Sequence, residues 1–332
     1  GGGGGGGVAL KASGLDCPTI QLSDQTKHPM LGYGTYKVGF IPASASAAAG
    51  GTEAAGGTEK TARECIAEAL EVGYRFLDCA QFYGNEKEVG LAIKDSGLPR
   101  ESLYLASKVW TDKIYLGPAA VREQVLRTLA DLQTDYLDLY LVHWPVPGHH
   151  VAAYKELENL VREGKLRSIG MSNYAVEDYE ELKGAAEIKP SINQIEVNPF
   201  LYRKETIDYF QGEGVKIQSY RALRDGKAFQ DPLVLELAAK YKKSAAQILG
   251  RWCVQKGVIY IPKSVKRERM VENAEVFDWE IEAEDMARLD ALTTPEALQT
   301  FKDLYIKCVV RDTPLAGTEE AKKIIKTDIT IG

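Results

Sequence analysis

No stretch of the chain approaches the roughly 20 consecutive apolar residues that a membrane-spanning helix needs, so no membrane span is expected. Cysteine is scarce: five in 332 residues, at Cys17, Cys65, Cys79, Cys253 and Cys308, with no Cys-x-x-Cys pair. Their odd number and scatter argue against a disulfide framework or a structural zinc site, and for reduced thiols in a cytoplasmic setting. Histidine is rarer still, at four, and two of these, His149 and His150, are neighbours in a loop, so no metal site is expected. Net charge is −6, with a pI near 5.5. That balance lacks the basic face that binds a phosphate backbone, and no nucleic-acid partner is expected. Two phosphate-binding signatures are missing as well. There is no Gly-Lys-Ser/Thr loop, and Gly32-Tyr33-Gly34 is the nearest approach to a Gly-x-Gly-x-x-Gly turn.

Two segments lack the pattern of a folded core. Residues 1–20 begin with seven glycines, which have no apolar stretch of the kind a secretory signal carries; they are expected to form a flexible N-terminal segment. The Ala/Gly/Ser-rich stretch 39–57 has almost no charge and reads as an insertion or a lid.

What is present is a repeat of two alternating kinds of segment. Short apolar runs at Tyr74–Asp78, Leu103–Ser107, Leu137–His143, Ser168–Ser172, Ile192–Glu196, Lys216–Tyr220 and Val258–Pro262 read as strands, with a weaker candidate at Leu31–Gly34. Amphipathic stretches between them read as helices: Glu59–Glu71, Pro118–Leu132, Val151–Arg162, Ala175–Leu182, Lys204–Gln211, Pro232–Tyr241 and Ser244–Gln255. Proline at 118 suits a first helical turn, and Ser244 suits an N-cap. Strands alternating with helices mean a parallel sheet, open or closed. Eight such units in about 250 residues match a (β/α)8 TIM barrel in a single domain, here over 21–292. Residues 293–332 are then an extension expected near the barrel mouth.

In such a barrel the C-terminal ends of the strands face the active site. Each strand delivers a polar or aromatic group there. Taken singly, a strand-end aspartate caps a turn, a lysine is solvated, and a histidine before Trp-Pro is structural. Taken together, Asp78, Tyr83, Lys108 and His143 converge on one cleft and suit carbonyl reduction. A carbonyl receiving hydride needs a proton on oxygen. Free tyrosine, with a pKa near 10, is a weak acid, and a nearby lysine cation is expected to lower that value. Asp78 balances the lysine, and a neutral His143 orients the substrate oxygen.

The chain resembles the aldo-keto reductases from about Leu31 to about Leu292. The likeness rests on GYGTYKVG, YRFLDCAQFYGNEKEVG, LASKVW, LDLYLVHWP, LRSIGMSN, INQIEVNPF and IPKSVKRERMVEN, in that order. It implies a (β/α)8 barrel that binds NADP(H) extended across the strand ends. It implies Tyr83 as proton donor, Lys108 and Asp78 as its tuning pair, and His143 as the group that orients the carbonyl. Ser172, Asn173 and Gln194 match the residues that hold the cofactor carboxamide, and Tyr220 matches the aromatic beneath the nicotinamide. Lys263, Ser264, Val265 and Arg269 fall around the adenosine 2′-phosphate, with Glu272 and Asn273 at the adenine. Cations and a hydroxyl before a helix also suit a phosphate on physical grounds.

One segment departs from the family. Where Tyr-Ser-Pro-Leu-Gly is usual, the chain has Tyr220-Arg221-Ala222-Leu223-Arg224. Arg221 and Leu223 are still assigned to the cofactor, and Arg221 or Arg224 is open to the pyrophosphate, to an anionic substrate, or to solvent. Tyr36, Trp110 and Trp144, with His143, should line an aromatic pocket for a small carbonyl compound, sugars included. The resemblance implies a monomer or weak dimer. An NADP(H)-binding regulatory or redox-sensing subunit with little turnover is the alternative function. A metalloenzyme built on Asp78 and His143 finds little support, because no carboxylate-rich strand ends accompany them.

Overall fold

A computed structural model describes residues 15–39 and 60–332. The glycine-rich start and nearly all of the 39–57 stretch lie outside the described residues.

The described chain opens with a hairpin, strands β1 (Thr19–Gln21) and β2 (Lys27–Pro29), paired antiparallel with Ile20 opposite His28. It begins two residues before the boundary expected at 21. Eight parallel strands then follow in sequence order: β3 (Tyr33–Gly34), β4 (Phe76–Asp78), β5 (Tyr104–Val109), β6 (Leu137–Val142), β7 (Leu166–Ser172), β8 (Ile192–Glu196), β9 (Lys216–Tyr220) and β10 (Ile259–Tyr260). The first closes on the last. Leu31 bridges Tyr260 in parallel, Gly32 N donates to Tyr260 O at 2.9 Å, and Gly34 N donates to Pro262 O at 3.0 Å. The sheet is therefore a closed (β/α)8 barrel, as the strand count predicts.

Helices cover the outside. The predicted helix at 59–71 instead runs Ala62–Val72, because Thr61 stops it on the N-terminal side. Thr61 Oγ1 accepts from Glu64 N at 3.1 Å, and Glu64 Oε2 accepts from Thr61 N at 3.0 Å, a reciprocal cap. The predicted helices Pro118–Leu132 and Pro232–Tyr241 are observed with those bounds, and Ser244 caps the helix Ala245–Gln255.

Period-two alternation along the strands sorts the barrel interior by height. Low in the barrel lie Phe76, Tyr104, Leu139, Ile192 and Ile259, packed with Leu22 and Met30 from the hairpin side. Two to four residues on, the same inward positions carry Asp78, Lys108, His143, Gln194 and Lys263. The lower half thus excludes water and the upper half holds the polar groups. Packing near mid-height is close enough to require glycine at 170, where a Cβ would come within 2.6 Å of Ile192 O.

The segment after residue 292 contains the helices Pro295–Cys308 and Glu319–Ile324. Tyr305, Cys308, Val309 and Val310 pack in one cluster with Tyr83, Trp110 and Trp144. Tyr305 OH donates to both oxygens of the buried Asp178, at 2.8 and 3.0 Å. The last residues are held too, since the buried Arg203 donates to Ile331 O at 3.0 Å and to Thr330 O at 2.9 Å. No described helix is long and apolar enough to cross a membrane.

Candidate active site

The strand β4 ends at Asp78, and a single 3-10 turn, Gln81–Tyr83, follows it. Gly84 closes that turn at φ 69°, a left-handed backbone that favours glycine. The turn brings the Tyr83 phenol back over the strand ends. Lys108, inward on β5, reaches the same point. Its Nζ donates to Asp78 Oδ1 at 2.9 Å, to Cys79 O at 2.9 Å and to Tyr83 OH at 3.1 Å. All three ammonium protons are used, and Lys108 is wholly buried.

His143 follows β6, and its imidazole stands edge-on to Trp110, centroid to centroid 4.8 Å, and to Tyr83, 6.1 Å. Its Nδ1 is buried without a hydrogen-bond partner. Burial, and then the Lys108 cation, hold the imidazole well below its ordinary value, so the ring is neutral. Burial, and then the Asp78 carboxylate, push the Tyr83 phenol well above its ordinary value. This corrects the expectation that Lys108 brings the phenol down. The cation is matched by an anion at 2.9 Å, so the charges offset and desolvation prevails.

Three further strands, β7 to β9, complete the floor. Ser172 Oγ donates to Gln194 O at 2.9 Å, and Asn173 Nδ2 donates to His143 O at 3.0 Å. Asn173 holds a left-handed φ of 58°, which asparagine tolerates. Tyr220 OH donates to Asn173 Oδ1 at 2.7 Å. Gln194 Nε2 donates to Asp78 Oδ1 at 3.2 Å and to Gln218 Oε1 at 2.8 Å. Ser172, Asn173, Gln194 and Tyr220 therefore sit together, directly beside Asp78.

One wall is aromatic. Tyr36 lies 5.1 Å from the Tyr83 ring, and Phe82 stacks on Trp110 at 4.0 Å. Trp110 Nε1 donates to Asp312 Oδ2 at 2.8 Å, and Thr111 Oγ1 donates to Arg311 O. Trp144 packs in the same cluster. Phe82, Asp312 and Gln218 were not singled out from the sequence. The inward parity of Gln218 on β9 was a signal for one of them; Asp312 is more than 200 residues from Trp110 and gave none.

The departure at 221–224 has a structure of its own. Arg221, Arg224 and Asp225 all have left-handed φ, between 49° and 56°. Arg221 Nη1 donates to Glu196 Oε1 at 2.5 Å, and its Nε to Asp225 Oδ2 at 3.3 Å. Arg224 lies over the Phe200 ring at 4.8 Å and has no ion pair among the described residues. Both line a cavity of about 190 Å³ with Tyr220, Phe301 and Thr300.

Beyond β10 the chain runs Lys263, Ser264 and Val265 into the helix Arg267–Ala274. Lys263 is half-buried, and burial holds its ammonium below its ordinary value. Its Nζ is 5.8 Å from the Tyr36 ring, which joins this end to the aromatic wall. Arg269 is exposed, Glu272 half-buried and Asn273 buried. The Oδ1 of Asn273 has no hydrogen-bond partner, a costly state that a donor on a bound ligand would relieve.

The sequence profile of the Aldo/keto reductase family matches residues 47–294. Glyoxal reductase of Bacillus subtilis (strain 168) is 40% identical over 279 residues, covering 84% of this chain and 94% of its own. The aldose reductase from Schistosoma japonicum superposes with a TM-score of 0.72 at 32% identity, covering 84% of this chain and 94% of its own. An aldo-keto reductase from Bombyx mori, solved in complex with NADP, superposes with a TM-score of 0.73 at 29% identity, covering 83% and 92%.

Proposed function

Because this chain belongs to the aldo/keto reductase family, we propose that it reduces the aldehyde or ketone group of small carbonyl compounds to an alcohol, using NADPH and Tyr83 as the proton donor. The observation that carries this is the buried contact of one ammonium with both Asp78 and Tyr83.

The cofactor reading fits the residues present. Ser172, Asn173 and Gln194 are grouped to hold a carboxamide, and Tyr220 supplies an aromatic face beside them. The unpartnered Asn273 Oδ1 matches the exocyclic amine of an adenine. Lys263, Ser264 and Arg269 offer two cations and a hydroxyl to a 2′-phosphate, which favours NADPH over NADH. Val265 and Glu272 flank them, and Arg221 and Leu223 lie on the β9 side. When bound, the nicotinamide supplies hydride to the carbonyl carbon.

The chain's own residues do the rest. As hydride arrives, the carbonyl oxygen becomes an alkoxide, a base far stronger than a phenolate. A phenol held above its ordinary value still carries its proton at neutral pH and still passes it downhill to that oxygen. The Lys108 ammonium at 3.1 Å then stabilises the phenolate left behind, and Asp78 keeps the ammonium in place. Neutral His143 donates a hydrogen bond to the carbonyl oxygen and orients it. Tyr36, Trp110 and Trp144 exclude water, and the segment 293–332 forms one side of the pocket through Asp312 and Tyr305.

The similarity to a glyoxal reductase and to an aldose reductase makes small dicarbonyls and aldoses the first substrates to try. The test is NADPH oxidation with glyoxal and with an aldose, by the wild type and Tyr83→Phe. Turnover that the variant loses while still binding NADP⁺ supports the reading. Tight NADP⁺ binding with no turnover on any carbonyl would favour a cofactor-binding subunit instead.

A further inference from the structure

Beneath the candidate site a single file of hydrogen bonds runs down the barrel axis. Gln194 Nε2 donates to Asp78 and to Gln218 Oε1, as described above. Gln218 Nε2 is in turn 2.8 Å from His28 Nε2, and His28 Nδ1 is 2.7 Å from Pro29 O. All four side chains are buried, His28 and Gln218 completely.

The direction of every bond in this file is fixed by its ends. Pro29 O can only accept, so His28 donates from Nδ1 and, being neutral, must accept at Nε2. Gln218 must then donate from Nε2 and accept at Oε1. Gln194 must face it with its amide nitrogen, whose second proton goes to Asp78, an acceptor at the other end. Burial pushes the His28 imidazole down to about 4, in keeping with the single tautomer. Turning the Gln218 amide over would set N–H against N–H at Gln194 and a carbonyl against the lone pair of His28. Each clash would bury an unsatisfied pair, which is expensive in a dry interior. Among the described residues nothing bonds to Gln194 Oε1, so that oxygen is the one polar atom of the amide left for a ligand.

We infer that Gln218, set by His28, is a positioning residue for the reduction. It locks the Gln194 amide so that Oε1 is presented as an acceptor to the cofactor carboxamide, while Nε2 braces Asp78. This rests on the proposed NADP(H) function and adds to it a residue pair that never touches the ligand. An apolar residue at 218 would remove the shorter of the two bonds that hold the Gln194 amide nitrogen inward, leaving only the 3.2 Å bond to Asp78 to keep Oε1 toward the cofactor.

The test compares two ligands, NADP⁺ and 2′-phospho-ADP-ribose, which lacks the nicotinamide, each titrated by calorimetry against wild type, Gln218→Met, His28→Leu and His28→Gln. Gln218→Met and His28→Leu should weaken NADP⁺ about tenfold, the scale of one misdirected hydrogen bond, and leave 2′-phospho-ADP-ribose unchanged. His28→Gln keeps an acceptor toward Gln218 and should restore NADP⁺ binding. Equal losses for both ligands, or no loss for either, would overturn the inference while leaving the proposed function standing. A wild type that binds neither ligand would overturn both.

Discussion

Lys108 Nζ lies 3.1 Å from Tyr83 OH and 2.9 Å from Asp78 Oδ1, and these three groups share a site almost closed to water. The ammonium is thereby both a structural ion and the partner of a phenol. The two roles separate experimentally. Lys108→Met leaves a buried, unpaired carboxylate, and should destabilise the protein by about 3–5 kcal/mol in urea unfolding. Adding Asp78→Asn removes that charge and should recover most of the stability. Activity should stay absent in the double variant, because nothing is left to stabilise the phenolate.

His143 is held neutral by burial and by Lys108. The wild-type profile of kcat/KM against pH should therefore show no acid limb from this imidazole near its ordinary value. His143→Gln should lower kcat/KM without changing the shape of the profile between pH 5 and 8, a range in which free imidazole would titrate. A limb present in wild type and lost in the variant would contradict a neutral His143.

Two buried groups outside the reacting centre should give stability opposite dependences on pH. Burial pushes the Glu86 carboxyl up from 4.5 to about 7, where it accepts from Ser107 Oγ at 2.7 Å and Thr128 Oγ1 at 2.8 Å. Between those values the native state holds the proton that the unfolded state has lost. Stability therefore falls as pH rises through that window, by about 3 kcal/mol in all.

His28 goes the other way, from 6.5 down to about 4. In that window the unfolded state holds the extra proton, so stability rises with pH by a similar amount. The two largely cancel in wild type. They should emerge in difference: Glu86→Gln gains on wild type as pH climbs from 4.5 to 7, and His28→Gln gains as pH drops from 6.5 to 4. Urea unfolding at a series of pH values checks both, and parallel profiles would contradict the assignments.

The barrel was legible in the sequence because its strands are short apolar runs that alternate with amphipathic helices. Asp78 and Lys108 were legible because alternation carries them: an inward Phe76 implies an inward Asp78 two residues on, and the same parity places Lys108, whereas Tyr83 lies on a 3-10 turn outside that pattern. The hairpin that seals the bottom was not legible. Its strands are three residues each, too short for a periodic signal, so His28 had no place in the pattern and its bond to Gln218 no precedent. The Trp110–Asp312 contact spans 202 residues, and no local rule links such positions. The direction of the Tyr83 shift was not legible, because it follows from burial, which no pairing of a lysine with a tyrosine in the sequence reveals.

The most direct test is a single turnover of enzyme-bound NADPH with glyoxal, in wild type and in Tyr83→Phe, alongside the NADP⁺ dissociation constant of each. Wild type should oxidise the cofactor, and the variant should do so about 10²–10⁴-fold more slowly at an unchanged dissociation constant. A variant as fast as wild type would contradict Tyr83 as the proton donor.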